Sequence, residues 1–257
     1  MNNNEHKEMS EFQFSLIADF FKDLERQGPC SEEVTKQALQ FIRELPYNAK
    51  IADIGCGTGG QTVTLANNTQ GNITAIDIMP EFIEKLNSKI KQLKLSDRIT
   101  TITGSMDNLP FAENELDLIW AEGSIYSIGY ENGLKYCHKF LKDGGYIAVS
   151  EATWFTPERP KEIEDFWMSN YNKIDLIATK VNQMQEAGYI PIVHFVMPES
   201  TWWSYFNPMP AIITPFLERN GYSKAAKDFI SYVEHEIALY AKYKKYYGYV
   251  FYIGQKI

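Results

Sequence analysis

The stretch Asp53-Ile54-Gly55-Cys56-Gly57-Thr58-Gly59-Gly60 gathers the residue types most able to hold a charged ligand. Glycines let a backbone turn sharply and let a ligand approach where a Cβ would collide. A helix opening at about Gln61 would present unpaired N–H groups and a partial positive charge to an anion. Gly55-x-Gly57-x-x-Gly60 also satisfies the dinucleotide fingerprint, so these glycines say only that a nucleotide-like ligand comes close. Two acids narrow the choice. Asp53 immediately precedes the glycines, where its charge would repel a pyrophosphate and attract the ammonium of a methionine moiety, directly or through water. Asp53 could also tie down the turn through backbone N–H groups, and the two roles are compatible. Asp77 closes the next β-rich run, where a carboxylate can accept both hydroxyl hydrogens of a ribose. Asp77 suits either nucleotide, and Asp53 discriminates between them.

The elements that must position these residues alternate. β-rich runs fall at Lys50–Ile54, Ile73–Asp77, Arg98–Thr103, Leu116–Trp120 and Tyr146–Ser150, with helical stretches between them. The clearest helix carries Phe82, Leu86, Ile90 and Leu93 on one side with Pro80 in its first turn. Gly144-Gly145 after Leu141 is expected to end another helix and turn into the fifth strand. This alternation predicts a parallel sheet with right-handed crossovers and helices on both faces. Ahead of it, Ile17, Phe20, Phe21 and Leu24 share one helical face. Val34, Ala38, Phe41, Ile42 and Leu45 share another, with Ser31 as its cap. The Gly28-Pro29-Cys30-Ser31 break between the two helices is placed to fold over the ligand. Beyond Glu151 the spacing of Ile163, Phe166, Trp167, Ile174, Ile177, Val181 and Met184 predicts one long helix from about Lys161 to Glu186. Strands follow at Tyr189–Met197 and Tyr249–Gln255, with a helical insertion between them.

Ile51-Ala52-Asp53-Ile54-Gly55-Cys56-Gly57-Thr58-Gly59 resembles the first motif of class I S-adenosylmethionine-dependent methyltransferases. The resemblance continues with Asp77-Ile78 and with Gly104-Ser105-Met106-Asp107-Asn108-Leu109-Pro110-Phe111. It then runs in order through Leu116–Trp120 and Leu141–Gly145 into the strand that follows. It implies an α/β fold: a doubly wound, mostly parallel seven-stranded sheet, Rossmann-like, with an antiparallel last strand. It implies S-adenosyl-L-methionine as cofactor, held by Asp53, Gly55, Cys56, Gly57, Gly59, Asp77, Ile78, Ser105, Met106 and Glu122. Ser105 stands where the family commonly carries an acid, which would pass the adenine contact to Met106 or Asp107.

Methyl transfer from a sulfonium needs an acceptor aligned with the S–CH3 axis and shielded from water. The segment Ala121–Ser127 after the fourth strand is expected to lie near the reacting centre. Glu122 within it is the catalytic candidate, for the methionine end or a substrate proton, or else a cap or ion-pair partner. Tyr126 could turn a ring face to the sulfonium. His6, His138, His194 and His235 do not cluster, and no metal spacing is present. Trp202, Trp203, Tyr205 and Phe206 would either wall a substrate pocket, pack an internal core, or form a dimer interface.

The whole of 1–257 reads as one methyltransferase domain. It comprises N-terminal helices (1–48), a cofactor-binding core (49–151) and a substrate side (152–257) with an insertion over about 198–248. The net charge of -8 argues against nucleic acid as a partner. The start, Met-Asn-Asn-Asn-Glu-His-Lys-Glu, lacks the pattern of a secretory leader, and no apolar run is long enough for a bilayer. Cys30, Cys56 and Cys137 read as reduced thiols. The expectation is a cytoplasmic enzyme acting on a small-molecule acceptor, with a homodimer compatible. An NAD(P)-dependent oxidoreductase using the same glycine loop is the enzymatic alternative. A non-catalytic cofactor-binding or assembly module is the other.

Overall fold

The computed structural model describes residues 14–257. His6 and the polar start therefore lie outside the described residues. A helix at 14–21 (α1) and α2 (Glu32–Leu39) precede the sheet. Then β1 (Lys50–Ile54), α3 (Gly60–Asn68), β2 (Asn72–Asp77), α4 (Pro80–Gln92), β3 (Ile99–Thr103) and β4 (Leu116–Glu122) follow in alternation. They are succeeded by a 3-10 turn (Ile125–Ile128), α5 (Tyr130–His138) and β5 (Leu141–Trp154). The last part runs α6 (Lys161–Asn170), β6 (Asp175–Leu176), α7 (Ile177–Glu186), β7 (Tyr189–Val196), α8 (Glu199–Phe206), α9 (Met209–Arg219), α10 (Lys224–Tyr243) and β8 (Tyr247–Lys256).

The strands form one sheet in the order β3-β2-β1-β4-β5-β8-β7, with the two-residue β6 beside β5. β1 to β5 pair in parallel, whereas β8 runs antiparallel to both β5 and β7. This is a doubly wound, Rossmann-like α/β architecture with its last strand reversed. Successive strand residues serve opposite faces. Ile51, Trp120, Ala148 and Phe251 enter one apolar core, while Ala52, Ile119, Ile147 and Tyr252 enter the other. Both faces are covered, so the central strands read as nearly unbroken apolar runs. Chain order reverses between β1 and β4, and open α/β sheets bind ligands beyond the carboxyl ends of the strands at such a switch point.

Three boundaries differ from the sequence expectation. The long helix over Lys161–Glu186 is two helices, because Tyr171 leaves helical geometry at φ -150°. The chain then adds Asp175–Leu176 as a parallel strand beside Thr153–Trp154. Both halves bury apolar faces, which is why one helical period appeared to span them. The fifth strand begins at Leu141, not Tyr146. Gly144 (φ 77°) and Gly145 form an irregularity where the β4–β5 register jumps, and α5 has already ended at His138. Finally, α2 stops at Leu39, and Phe41, Ile42 and Leu45 pack on the core from non-helical backbone.

Candidate functional site

The carboxyl ends of β1, β2 and β4, together with the loop after β3, open onto a cavity of about 650 Å³. Gly55, Cys56, Gly57, Asp77, Ile78, Ser105, Met106, Asp107 and Glu122 all line it. The turn after β1 is pinned by Gly55 and Cys56 N–H groups donating to the Ile76 carbonyl at 2.7 and 3.0 Å. Two glycines in this turn answer to close approaches within the chain. A Cβ on Gly55 would lie 2.3 Å from Ser124 Cβ, and one on Gly57 would lie 2.1 Å from Gln27 Oε1. Both residues also hold positive φ, which L side chains rarely adopt. The glycines thus admit the Gln27 segment as well as a ligand.

Asp77 sits at the front of the cavity. One carboxylate oxygen accepts the Gly57 N–H at 2.8 Å and the other the Met79 N–H at 2.9 Å. These bonds fix the group while leaving each oxygen free to accept again. Burial nonetheless raises its pKa above the ordinary carboxylate range, against the pull of those two N–H groups. A vicinal diol is a suitable donor pair for a carboxylate so held. Ile78 exposes its side chain beside it, giving an apolar flank for a flat ring.

Asp53 and Gly59 stand behind the wall. Asp53 is fully buried, accepting from Thr62 Oγ1 at 2.6 Å and Gln61 Nε2 at 3.3 Å, so it anchors the start of α3. Burial pushes its carboxyl up to about 7. Of the pair, only Gln61 reaches the cavity. Gly59 (φ 81°) caps α3, with Leu86 filling the space a Cβ would take. The Cys56 thiol is buried and its pKa is raised by that burial, so it packs rather than reacts.

Glu122 ends β4 with its carboxylate saturated. Arg26 Nη1 donates to it at 2.5 Å, Thr35 Oγ1 at 2.6 Å and Trp120 Nε1 at 2.9 Å. Two of these donors come from the segment joining α1 to α2 and from α2 itself. Gln27 adds a second tie, accepting the Thr58 N–H at 2.8 Å and donating to Thr58 Oγ1 at 3.1 Å. The Gly28-Pro29-Cys30 break consequently lies over the glycine turn and lines the cavity, as its position suggested. Arg26, Gln27 and Thr35 were not singled out by sequence, since nothing local marks their partners across the fold.

The far half of the cavity is aromatic. Tyr126 comes from the turn after β4, Trp167 and Tyr171 from the α6 end, Tyr205 from α8, Tyr232 from α10 and Tyr249 from β8. Trp202 also reaches it, but stacks on Tyr240 with ring centroids 4.2 Å apart. Phe206 is buried in the core, and Trp203 donates to Glu199 at 2.7 Å. The Trp202–Phe206 cluster is therefore part core and part cavity wall. Within this half sits Glu236, half-buried on α10. Burial pushes its carboxyl up to about 7. Its signal in the sequence was a carboxylate on the stripe Phe229, Val233 and Tyr240, at helical spacing on the buried side.

No helix among the described residues is long and apolar enough to cross a membrane, and no described cluster of three or more His, Cys, Asp or Glu could hold a metal ion. Residues 51–145 match the family described as Methyltransferase domain. A demethylmenaquinone methyltransferase from Lactiplantibacillus plantarum is 26% identical over 160 residues, covering 60% of this chain and 66% of that protein. A methyltransferase GfsG from Streptomyces halstedii is 24% identical, covering 51% of this chain and 49% of its own. The chain thus spans less than two thirds of these curated relatives. Among solved structures, an S-adenosylmethionine-dependent methyltransferase from Geobacter sulfurreducens, in complex with S-adenosyl-L-homocysteine, superposes with a TM-score of 0.82 at 18% identity. It covers 95% of this chain and 98% of that one. The cyclase SpnF superposes at 0.76, also at 18% identity, covering 95% and 94%. At such identities the likeness concerns the fold, which by itself does not fix a reaction.

Proposed function

We propose that this chain, whose residues 51–145 match the family described as Methyltransferase domain, transfers a methyl group from S-adenosyl-L-methionine to a small-molecule acceptor in the 650 Å³ cavity. The observation that carries this reading is Asp77, held by the Gly57 and Met79 N–H groups at the front of the switch-point cavity. The cofactor, when bound, supplies an electrophilic methyl carbon on a sulfonium.

The chain's own residues bind, orient and exclude water. Asp77 would accept the ribose hydroxyls, Ile78 and Met106 would flank the adenine, and Gly55, Cys56 and Gly57 would hold the methionine portion. Arg26 is the only basic residue among the described lining, and it is proposed to meet the methionine carboxylate. Glu122, with three donors on its carboxylate, acts as a positioning residue: it aims Arg26 and holds the α1–α2 segment over the site. Asp53 is proposed to act through Gln61 and the α3 terminus.

The net charge of -8 fits a small molecule rather than nucleic acid as partner. The three cysteines are free and buried, in keeping with a reducing cytoplasm. Titration with S-adenosyl-L-homocysteine by calorimetry should give micromolar binding. Absence of binding at millimolar ligand refutes the proposal.

A further inference from the structure

Given methyl transfer at this site, as proposed above, we infer that the acceptor is a small amine. Its ammonium would be held by Glu236 among Tyr126, Tyr205, Tyr232 and Tyr249, and Glu236 would take the proton it must shed.

Glu236 is the starting point. Among the described residues no group donates a hydrogen bond to its carboxylate, although it lines the cavity. A desolvated carboxylate that finds no partner among the described residues is costly to the folded state. Such a group calls for a ligand of opposite charge. Its neighbours are suited to the same ligand. The Glu236 charge is felt at the hydroxyls of Tyr126, Tyr205, Tyr232 and Tyr249, each of which it helps push above the ordinary tyrosine range. Those phenols therefore stay neutral near pH 7. Their oxygens can accept from an ammonium, which has donors only, and their rings present negative faces to a cation.

The charge of the rest of the cavity points the same way. Asp77, Asp107, Glu122 and Glu236 line it, whereas Arg26 is the only described cation there and sits 2.5 Å from Glu122. Among the described residues no free positive group waits for a phosphate or carboxylate on the acceptor, and their charges would repel an anionic acceptor.

The chemistry balances without a further reactant. The ammonium gives one proton to the Glu236 carboxylate, exposing the nitrogen lone pair. That pair forms the N–C bond to the methyl carbon as the C–S bond breaks, leaving its electrons on the sulfur. The methylated amine leaves as a cation, and Glu236 releases the proton to water. Its carboxyl, held near 7, is closer to an ammonium in basicity than an ordinary glutamate would be.

The test uses the full chain, methyl-labelled S-adenosyl-L-methionine and a cell metabolite extract. The extract is divided into an untreated half and a half whose primary and secondary amines are acetylated. The expected labelled product carries its methyl on nitrogen and is retained by a cation exchanger at pH 7. It disappears on acetylation unless it is a quaternary ammonium. Label on oxygen, carbon or sulfur, or a neutral or anionic product, overturns the inference. Glu236→Gln should lower turnover by about 100-fold or more, with affinity for S-adenosyl-L-homocysteine within about twofold of the parent. Glu236→Asp should recover part of the loss. The amine fraction of the extract should raise the melting temperature of the parent's S-adenosyl-L-homocysteine complex and not that of Glu236→Gln. Full turnover in Glu236→Gln removes Glu236 from the reaction. Cofactor binding with no labelled product in either half refutes methyl transfer and this inference together, whereas failure to bind the cofactor refutes the site itself.

Discussion

Replacing Glu236 by Gln should make the protein more stable at alkaline pH, because the native carboxylate is desolvated and has no donor among the described residues. Burial pushes the folded-state carboxyl up to about 7, against roughly 4.3 in an unfolded chain. The folded value is the higher one, so its stabilising contribution is fully present below about pH 4 and is lost as pH rises through about 7. At about 1.4 kcal/mol per tenfold difference in proton affinity, complete ionisation costs the fold roughly 4 kcal/mol. The groups that face Glu236 are Tyr126, Tyr205, Tyr232, Tyr247 and Tyr249, all pushed above the ordinary tyrosine range, so none ionises between pH 5 and 8. Gln has the shape of the protonated acid and no titration. Contributions from Asp53 and the histidines are common to both proteins and cancel in the difference. The stability gap between variant and parent should therefore widen by on the order of 2 kcal/mol between pH 5 and pH 8. For a chain of this size that is roughly 4–8 °C in melting temperature. Thermal and urea unfolding at the two pH values, both without ligand, read it directly. A gap that stays constant, or a variant that is the less stable at pH 8, would refute the account of Glu236 as an unpartnered buried acid.

Asp77→Ala removes the acceptor proposed for both ribose hydroxyls and should weaken S-adenosyl-L-homocysteine binding by about 1.5–3 kcal/mol in calorimetry; an unchanged affinity takes Asp77 out of the site. Gly57→Ala forces positive φ on a Cβ that would sit 2.1 Å from Gln27 Oε1. It should lower stability by about 1–3 kcal/mol, and adding Gln27→Ala should restore the steric part, measured by urea unfolding. Arg26→Ala leaves a carboxylate that is 4% exposed without its cation. It should cost about 3–5 kcal/mol of stability, partly returned in Arg26→Ala with Glu122→Gln; equal stability of the single and double variants would show that the pair is not acting as one.

The sheet was legible because its signals are local. Ile51-Ala52-Asp53-Ile54 and Leu116–Trp120 are short apolar runs ahead of glycine or turn residues, and these became β1 and β4. The segments that misled are those where local period and tertiary pairing diverge. Lys161–Glu186 keeps helical spacing throughout, yet Asp175–Leu176 gains strand hydrogen bonds beside β5. A buried tie also crosses the break, with Lys180 Nζ 3.2 Å from Glu151 Oε1 and 2.8 Å from the Lys173 carbonyl. Within the candidate site, Gly55, Gly57, Asp77, Ile78, Ser105 and Met106 were findable because the turns after successive parallel strands converge at one end of the sheet. Glu236 was not, since its meaning depends on Tyr126, Tyr205 and Tyr249, which lie on three other elements.

Asp53 shows where reasoning from residue type needs geometry. Beside the glycines, its charge was expected to choose the ligand. Its carboxylate instead faces Thr62 and Gln61, and burial pushes its carboxyl up to about 7. An acid that points inward onto α3 does not contact the ligand directly. The charged residues that line the cavity come from widely separated parts of the chain: Arg26 before the sheet, Asp77, Asp107 and Glu122 in the core, and Glu236 in the last helix. Glu122 connects two of these regions, because its bonds to Arg26 and Thr35 fasten the α1–α2 segment to the end of β4. With that segment also tied to Thr58 through Gln27, the glycine turn is enclosed by parts of the chain that sequence proximity cannot associate. The cavity wall is therefore built from the α1–α2 segment and the α8–α10 insertion as well as from the turn after β1.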